Sequence, residues 1–133
     1  MGRTQAVYYR DRNRHEPVRA YVDALAPAPR ESLRAQIAIL TGLPPADPPP
    51  PFPITSQVAH GLRELRCHHG RDLHRILHRR SDNLIVLLHA FAKRSQRVPA
   101  REIAIAEARW LDLRTRIDAA PRPGPRPIGG DAP

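Results

Sequence analysis

The chain has 133 residues, a formal net charge of +9 and an isoelectric point near 11.3. That length holds one domain, and its single cysteine, Cys67, excludes an internal disulfide. The longest uninterrupted aliphatic run, residues 84–88, is far too short to span a membrane, and the first residues lack the apolar core of a signal peptide, so the expected compartment is the cytoplasm and no membrane partner is expected.

In chain order, residues 6–10 (AVYYR) are rich in β-favouring side chains and predict a short first strand. Pro17 then suits the first position of a helix, where its missing N–H has no partner to lose. Val18, Tyr21, Val22 and Leu25 follow at helical spacing. Pro27 is expected to end that helix and Pro29 to open a second, whose apolar face is Leu33, Ile37 and Leu40, with Gly42 as the stop. Residues 43–53 are nearly all proline and can be neither helix nor central strand, so they are expected to form an extended connector.

A hairpin is predicted next, with strands at about residues 61–67 and 72–79. Gly70 is expected in the turn and a bulge near Glu64. Residues 84–91 (LIVLLHAF) are apolar on both faces, the pattern of a covered central strand. Pro99 starts the last helix, and Ile103, Ala106, Trp110, Leu113 and Ile117 make its core stripe. The order is β-α-α-β-β-β-α. It predicts an α+β domain over residues 1–118, a twisted, mainly antiparallel sheet with the helices on one face. Residues 119–133, a Pro, Gly and Arg tail, are expected to be disordered.

The charge is concentrated. Residues 57–101 hold ten Lys/Arg against three acids, a net charge of +7, and Lys93 is the only lysine in the chain. A positive field of this kind on a hairpin and its exit loop fits a phosphate-binding surface. No Gly-rich phosphate loop, G-x-S-x-G, H-E-x-x-H or C-x-x-C is present. His74 and His78, four apart on a predicted strand, are too widely spaced to converge on a metal. No metal and no small-molecule cofactor are therefore expected.

Arginine, lysine and histidine remain, and they suit cleavage of RNA by its own 2′-hydroxyl. Rigid cations stabilise the charge that builds on the phosphate, alignment of the hydroxyl lowers the barrier further, and a histidine or lysine moves protons. His74 is singled out for such a role because it neighbours Arg75 on a predicted strand.

Four pieces stand in order: G-L-x-E-L-R (Gly61, Leu62, Glu64, Leu65, Arg66), a strand bearing Arg75-Ile76, L-L-H-x-F-x-K (Leu87, Leu88, His89, Phe91, Lys93) and P-x-x-E-I-x-x-A (Pro99, Glu102, Ile103, Ala106). Together they resemble the RelE/HigB-type toxins of type II toxin–antitoxin systems, in their phage-derived HigB branch. The resemblance implies a small RelE-like fold, ribosome-dependent cleavage of mRNA (mRNA interferase activity) and silencing by a HigA-type helix-turn-helix antitoxin. It points to Arg66, Arg75 and Lys93 as catalytic, joined by His74 from the chemistry above, and to Arg94 as RNA-contacting. Arg63, Arg71 and Arg97 complete the expected RNA-binding set. His89 is read as a hydrogen-bonded core histidine or a proton-transfer group, and Trp110 as core.

The second hairpin strand lacks the aromatics that relatives often carry to stack on a base. Two other readings therefore stand beside the endonuclease. One is a ParE-like inhibitor of a protein target such as gyrase. The other is a decayed toxin that retains only antitoxin binding.

Overall fold

The computed structural model describes residues 4–42, 55–59, 61–93, 97–119 and 128–133. Its elements run β1 (Gln5–Tyr8), α1 (Pro17–Asp23), α2 (Pro27–Ala38), β2 (Thr55–Ala59), β3 (Leu62–His69), β4 (Asp72–Ser81), β5 (Leu84–Ala92) and α3 (Ala100–Ala119). The strands form one sheet in the order β1-β5-β4-β3-β2. Strands β2 to β5 make an antiparallel meander, and β1 lies parallel to β5 at the edge. This is the expected α+β class, a mainly antiparallel sheet packed against helices and consistent with a small RelE-like fold.

The sheet is two-sided because β4 and β5 are apolar on both faces. Beneath α1 and α2 lie Leu65, Cys67, Ile76 and Leu87, meeting Val18, Val22, Leu33 and Ile37. On the reverse, Leu62, Leu77, Val86 and Leu88 meet Ala106 and Leu113 of α3, with Trp110 and Ile117 packed alongside. Burying each such aliphatic side chain contributes about 1.5–3 kcal/mol, and neither half of this core closes without the helices on its own face. The helices therefore flank the sheet on both sides, not on one side as the sequence pattern suggested.

Three other details depart from the expectation. Strand β2 was not foreseen; it precedes the hairpin and pairs with β3. Helix α2 opens at Pro27, two residues early, because proline is tolerated equally at that first position. The register shifts fall between Gln57 and Ala59 in β2, and opposite Leu77 and His78 in β5, rather than near Glu64.

The tail also differs. Residues 120–127 lie outside the described residues, as does the proline connector at 43–53. Residues 128–133, expected to be disordered, instead run along β1: Val7 bridges Asp131 in antiparallel sense, and Ile128 and Ala132 are buried. Low apolar content misled here, because Gly129 and Gly130 let the backbone pair closely without any large side chain.

Candidate functional site

The α3 face of the sheet holds a buried charge cluster, built by register. Ser56 on β2 stands opposite Glu64 on β3, and Glu64 opposite Leu77 on β4. One row on, Arg66 faces Arg75, and Arg75 faces Phe91. Side chains in these rows share a face because strand residues alternate. The Glu64 carboxylate ties them together. Its Oε1 accepts from Ser56 Oγ and Arg66 Nη1, each at 3.4 Å, and its Oε2 lies 3.1 Å from Arg75 Nε. Arg75 is wholly buried, and its Nη1 donates to the Arg97 carbonyl at 3.5 Å. Burial pushes the Arg75 pKa down, and Glu64 opposes that shift.

Above the cluster is a cavity of about 490 Å³ lined by Ser56, Glu64, Arg66, Arg97, Val98 and Ile103 among others. Its floor is ion-paired and rigid, and its wall carries Arg66 and the exposed Arg97. Three arginines stand against one carboxylate, so the space is electropositive and suited to an anion.

A second polar group is made by a β-bulge. Leu88 has no register partner in β4, because Leu77 pairs with His89 and His78 with Leu87. The extra residue turns His89 onto the same face as Leu88, toward α3, as bulges re-aim side chains. There His89 Nε2 meets Glu102 Oε2 at 2.5 Å, and Nδ1 lies 3.2 Å from Arg109 Nη1. Arg109 Nη1 also donates to the Leu88 carbonyl at 2.9 Å. Since an arginine only donates, His89 Nδ1 accepts and its Nε2–H donates to Glu102, which fixes the neutral tautomer. Burial holds the His89 pKa below the ordinary histidine value, with Glu102 opposing and Arg109 reinforcing. Both ring nitrogens are engaged, so the group orients the start of α3 over the cavity.

The structure brings Arg66, Arg75 and Arg97 together at this cavity. Lys93 is exposed at the exit of β5, two residues past Phe91, and its backbone N–H bonds the Leu73 carbonyl at 3.1 Å. Arg71 is exposed beside the hairpin turn at Gly70, and Arg94 lies outside the described residues.

Two residues of the expected set are elsewhere. His74 is on the opposite face, where its Nδ1 bonds the Tyr21 hydroxyl at 2.7 Å and burial lowers its pKa. Arg63 is paired in register with His78 on that same face. Among the described residues no three His, Cys, Asp or Glu side chains gather as metal ligands do, and no helix is long and apolar enough to cross a membrane.

Sequence reasoning missed Ser56, whose strand was not foreseen, and Arg109. The signal for Arg109 was present: it lies seven residues after Glu102, on the same helical face. A larger, open basin of about 920 Å³ lies between the β1–α1 segment and α1. Its central carboxylate, Glu16, is already held by Arg10 and Arg19 at 2.9 Å each.

Fold and cleft together define a small, basic α+β domain of RelE-like build with an electropositive cavity on one sheet face. Residues 20–111, more than half the chain, match the family of phage-derived Gp49-like proteins (DUF891), and this protein belongs to that family. The family is toxin-like and related to the RelE and HigB toxins, which implies an antitoxin partner. No curated protein matches the chain.

Proposed function

We propose that the protein is the toxin of a HigB-branch toxin–antitoxin pair. It is an endoribonuclease that cuts mRNA at the ribosome, in the cytoplasm, and is silenced by a HigA-type helix-turn-helix antitoxin. The observation that carries this reading is the cavity in which Arg66 and Arg97 overhang the buried Arg75–Glu64 pair.

In this reading the RNA phosphate sits against Arg66 and Arg97, and the neighbouring 2′-hydroxyl attacks it in line. The O2′–P bond forms and the P–O5′ bond breaks, leaving a 2′,3′-cyclic phosphate and a 5′-hydroxyl. Arg66 stabilises the charge on the nonbridging oxygens. Arg75, with no exposed surface, acts from below by fixing Glu64, which in turn orients Arg66. Lys93 moves the proton at the mouth, Arg71 and Arg94 extend the positive track for the backbone, and His74 and Arg63 serve the opposite face.

Induced expression in a bacterial host, with growth followed beside primer extension on abundant mRNAs, tests this reading. Growth arrest with discrete, codon-phased cuts is expected. Arg66→Ala and Lys93→Ala should each reduce cutting about 100-fold or more with the fold retained. Full toxicity in both variants would overturn the site. Arrest without cuts would favour a ParE-like inhibitor of a protein target, and no arrest a chain that only binds its antitoxin. Burial of both Arg75 and His74 is the observation on the side of those alternatives.

A further inference from the structure

Strand β1 is the edge of the sheet, and its sequence, QAVY, contains none of the usual guards of an edge strand: no charge, no proline, no bulge. What covers it is the chain's own tail. The Tyr8 N–H donates to the Gly130 carbonyl at 2.9 Å, the Gly129 N–H to the Tyr8 carbonyl at 2.8 Å, and the Ala132 N–H to the Ala6 carbonyl at 2.8 Å. Gln5 Nε2 reaches the Ala132 carbonyl at 3.0 Å, and Gly130 N–H reaches Glu16 Oε2 at 3.0 Å. Gly129 must lack a side chain, because a Cβ there would overlap the Tyr8 carbonyl and the Glu16 carboxylate.

This cover is lightly anchored. Ile128 is the only large apolar side chain in residues 128–133. By contrast, β1 is held on its other side by a four-residue parallel register with β5. Both β1 and residues 128–133 lie outside the segment that matches the family.

We propose that residues 128–133 are a separable sixth strand that closes the β1 edge, and that the uncovered edge pairs with the same edge of a second copy of this chain. The tail lies antiparallel to β1, so an antiparallel strand is what the edge accepts. Two copies related by a two-fold axis present their β1 strands to each other in that sense. At +9 per chain the copies repel, so pairing should strengthen as salt screens the charge, the opposite of the salt dependence of nucleic-acid binding.

The test uses the full chain carrying Gly129→Val, with Ile128→Asp as a second variant that keeps the glycine and removes the anchor. Amide hydrogen exchange at Tyr8, whose partner is the tail, is compared with exchange at Tyr9, whose N–H bonds the Leu87 carbonyl at 3.0 Å. Mass is followed by light scattering at two salt concentrations. In both variants, Tyr8 exchange should accelerate on the order of tenfold or more while Tyr9 stays protected, and mass should rise above that of the unmutated chain, further so at high salt. Three results would overturn the proposal. Unchanged Tyr8 protection means that the tail does not guard the edge. Equal loss at Tyr8 and Tyr9 means that it is part of the cooperative core. Tyr8 exposure with unchanged mass means that the open edge does not self-pair.

Discussion

Strand β4 sends His74, Ile76 and His78 to the α1/α2 face and Arg75 and Leu77 to the α3 face, and the two sets of polar groups are treated in opposite ways. On the α1/α2 face the ionisable groups are kept neutral. Tyr21 bonds His74, while burial, reinforced by Arg63, pushes His78 down to about 3. On the α3 face charge is retained and balanced, with Glu64 set between Arg66 and Arg75 and with Glu102 and Arg109 bracketing His89. A neutral polar group needs only one good hydrogen bond to be buried, whereas a charge needs a counter-charge and further donors. The face that carries the greater desolvation cost is the one with the cavity and the exposed arginine, as expected where a protein spends stability on a site.

The sharpest way to break this contrast is to remove the central carboxylate. Glu64→Ala leaves Arg75 buried without its counter-charge, and loss of one partner of a buried pair costs about 3–5 kcal/mol. Chemical denaturation should show a drop of that size. Adding Arg75→Met to the same chain should recover much of it, since a packed apolar side chain replaces an orphaned charge. Failure of the second substitution to recover stability would mean that Arg75 is held by more than Glu64, and that the cluster is not a pair set on an apolar floor.

The neutral face gives the next effect, through pH. His78 has a folded pKa near 3 against an ordinary value of 6.5. Between those values the unfolded chain binds a proton that the folded chain does not. Its contribution is therefore fully present above pH 6.5 and is lost as pH falls toward 3, by about 1.4 kcal/mol per pH unit. The folded pKa values of His74 and His89 are lowered as well and act in the same direction. Denaturation midpoints between pH 6.5 and 5, above most carboxylate titration, should fall steeply. His78→Leu should flatten the slope, and an unchanged slope would show that His78 is not buried as the neutral base.

Much of this arrangement was legible in the sequence, and the failures have distinct physical causes. The spacing of Ile103, Ala106, Trp110 and Leu113 fixed α3 because a helix core stripe repeats over many turns. The alternation in β4 put Arg75 and His74 on different faces, although their adjacency in sequence suggested a shared site. Strand β2 was missed because TSQVA is short and half polar, and earns its place only by pairing with β3. The orientation of His89 depends on one extra residue, Leu88, in a run where every neighbour is apolar, and no pattern marks which residue is extra. Glu64 was recognised as part of a motif, but its role needed the cross-strand register that places Ser56 and Arg66 beside one carboxylate oxygen.

Tyr21→Phe is the mildest test of the contrast between the faces. The substitution removes only the hydroxyl that bonds His74 Nδ1 and keeps the ring, which meets the imidazole edge-on at 5.8 Å. A neutral hydrogen bond of this kind contributes about 1 kcal/mol, and the other ring nitrogen of His74 has no hydrogen-bond partner among the described residues. A loss of about that size by denaturation is expected, with growth arrest and mRNA cutting unchanged, because His74 faces away from the cavity. If Tyr21→Phe instead abolished cutting while leaving stability near that of the parent, His74 would have to act on the RNA through a rearranged sheet. The division of labour between the faces would then be wrong.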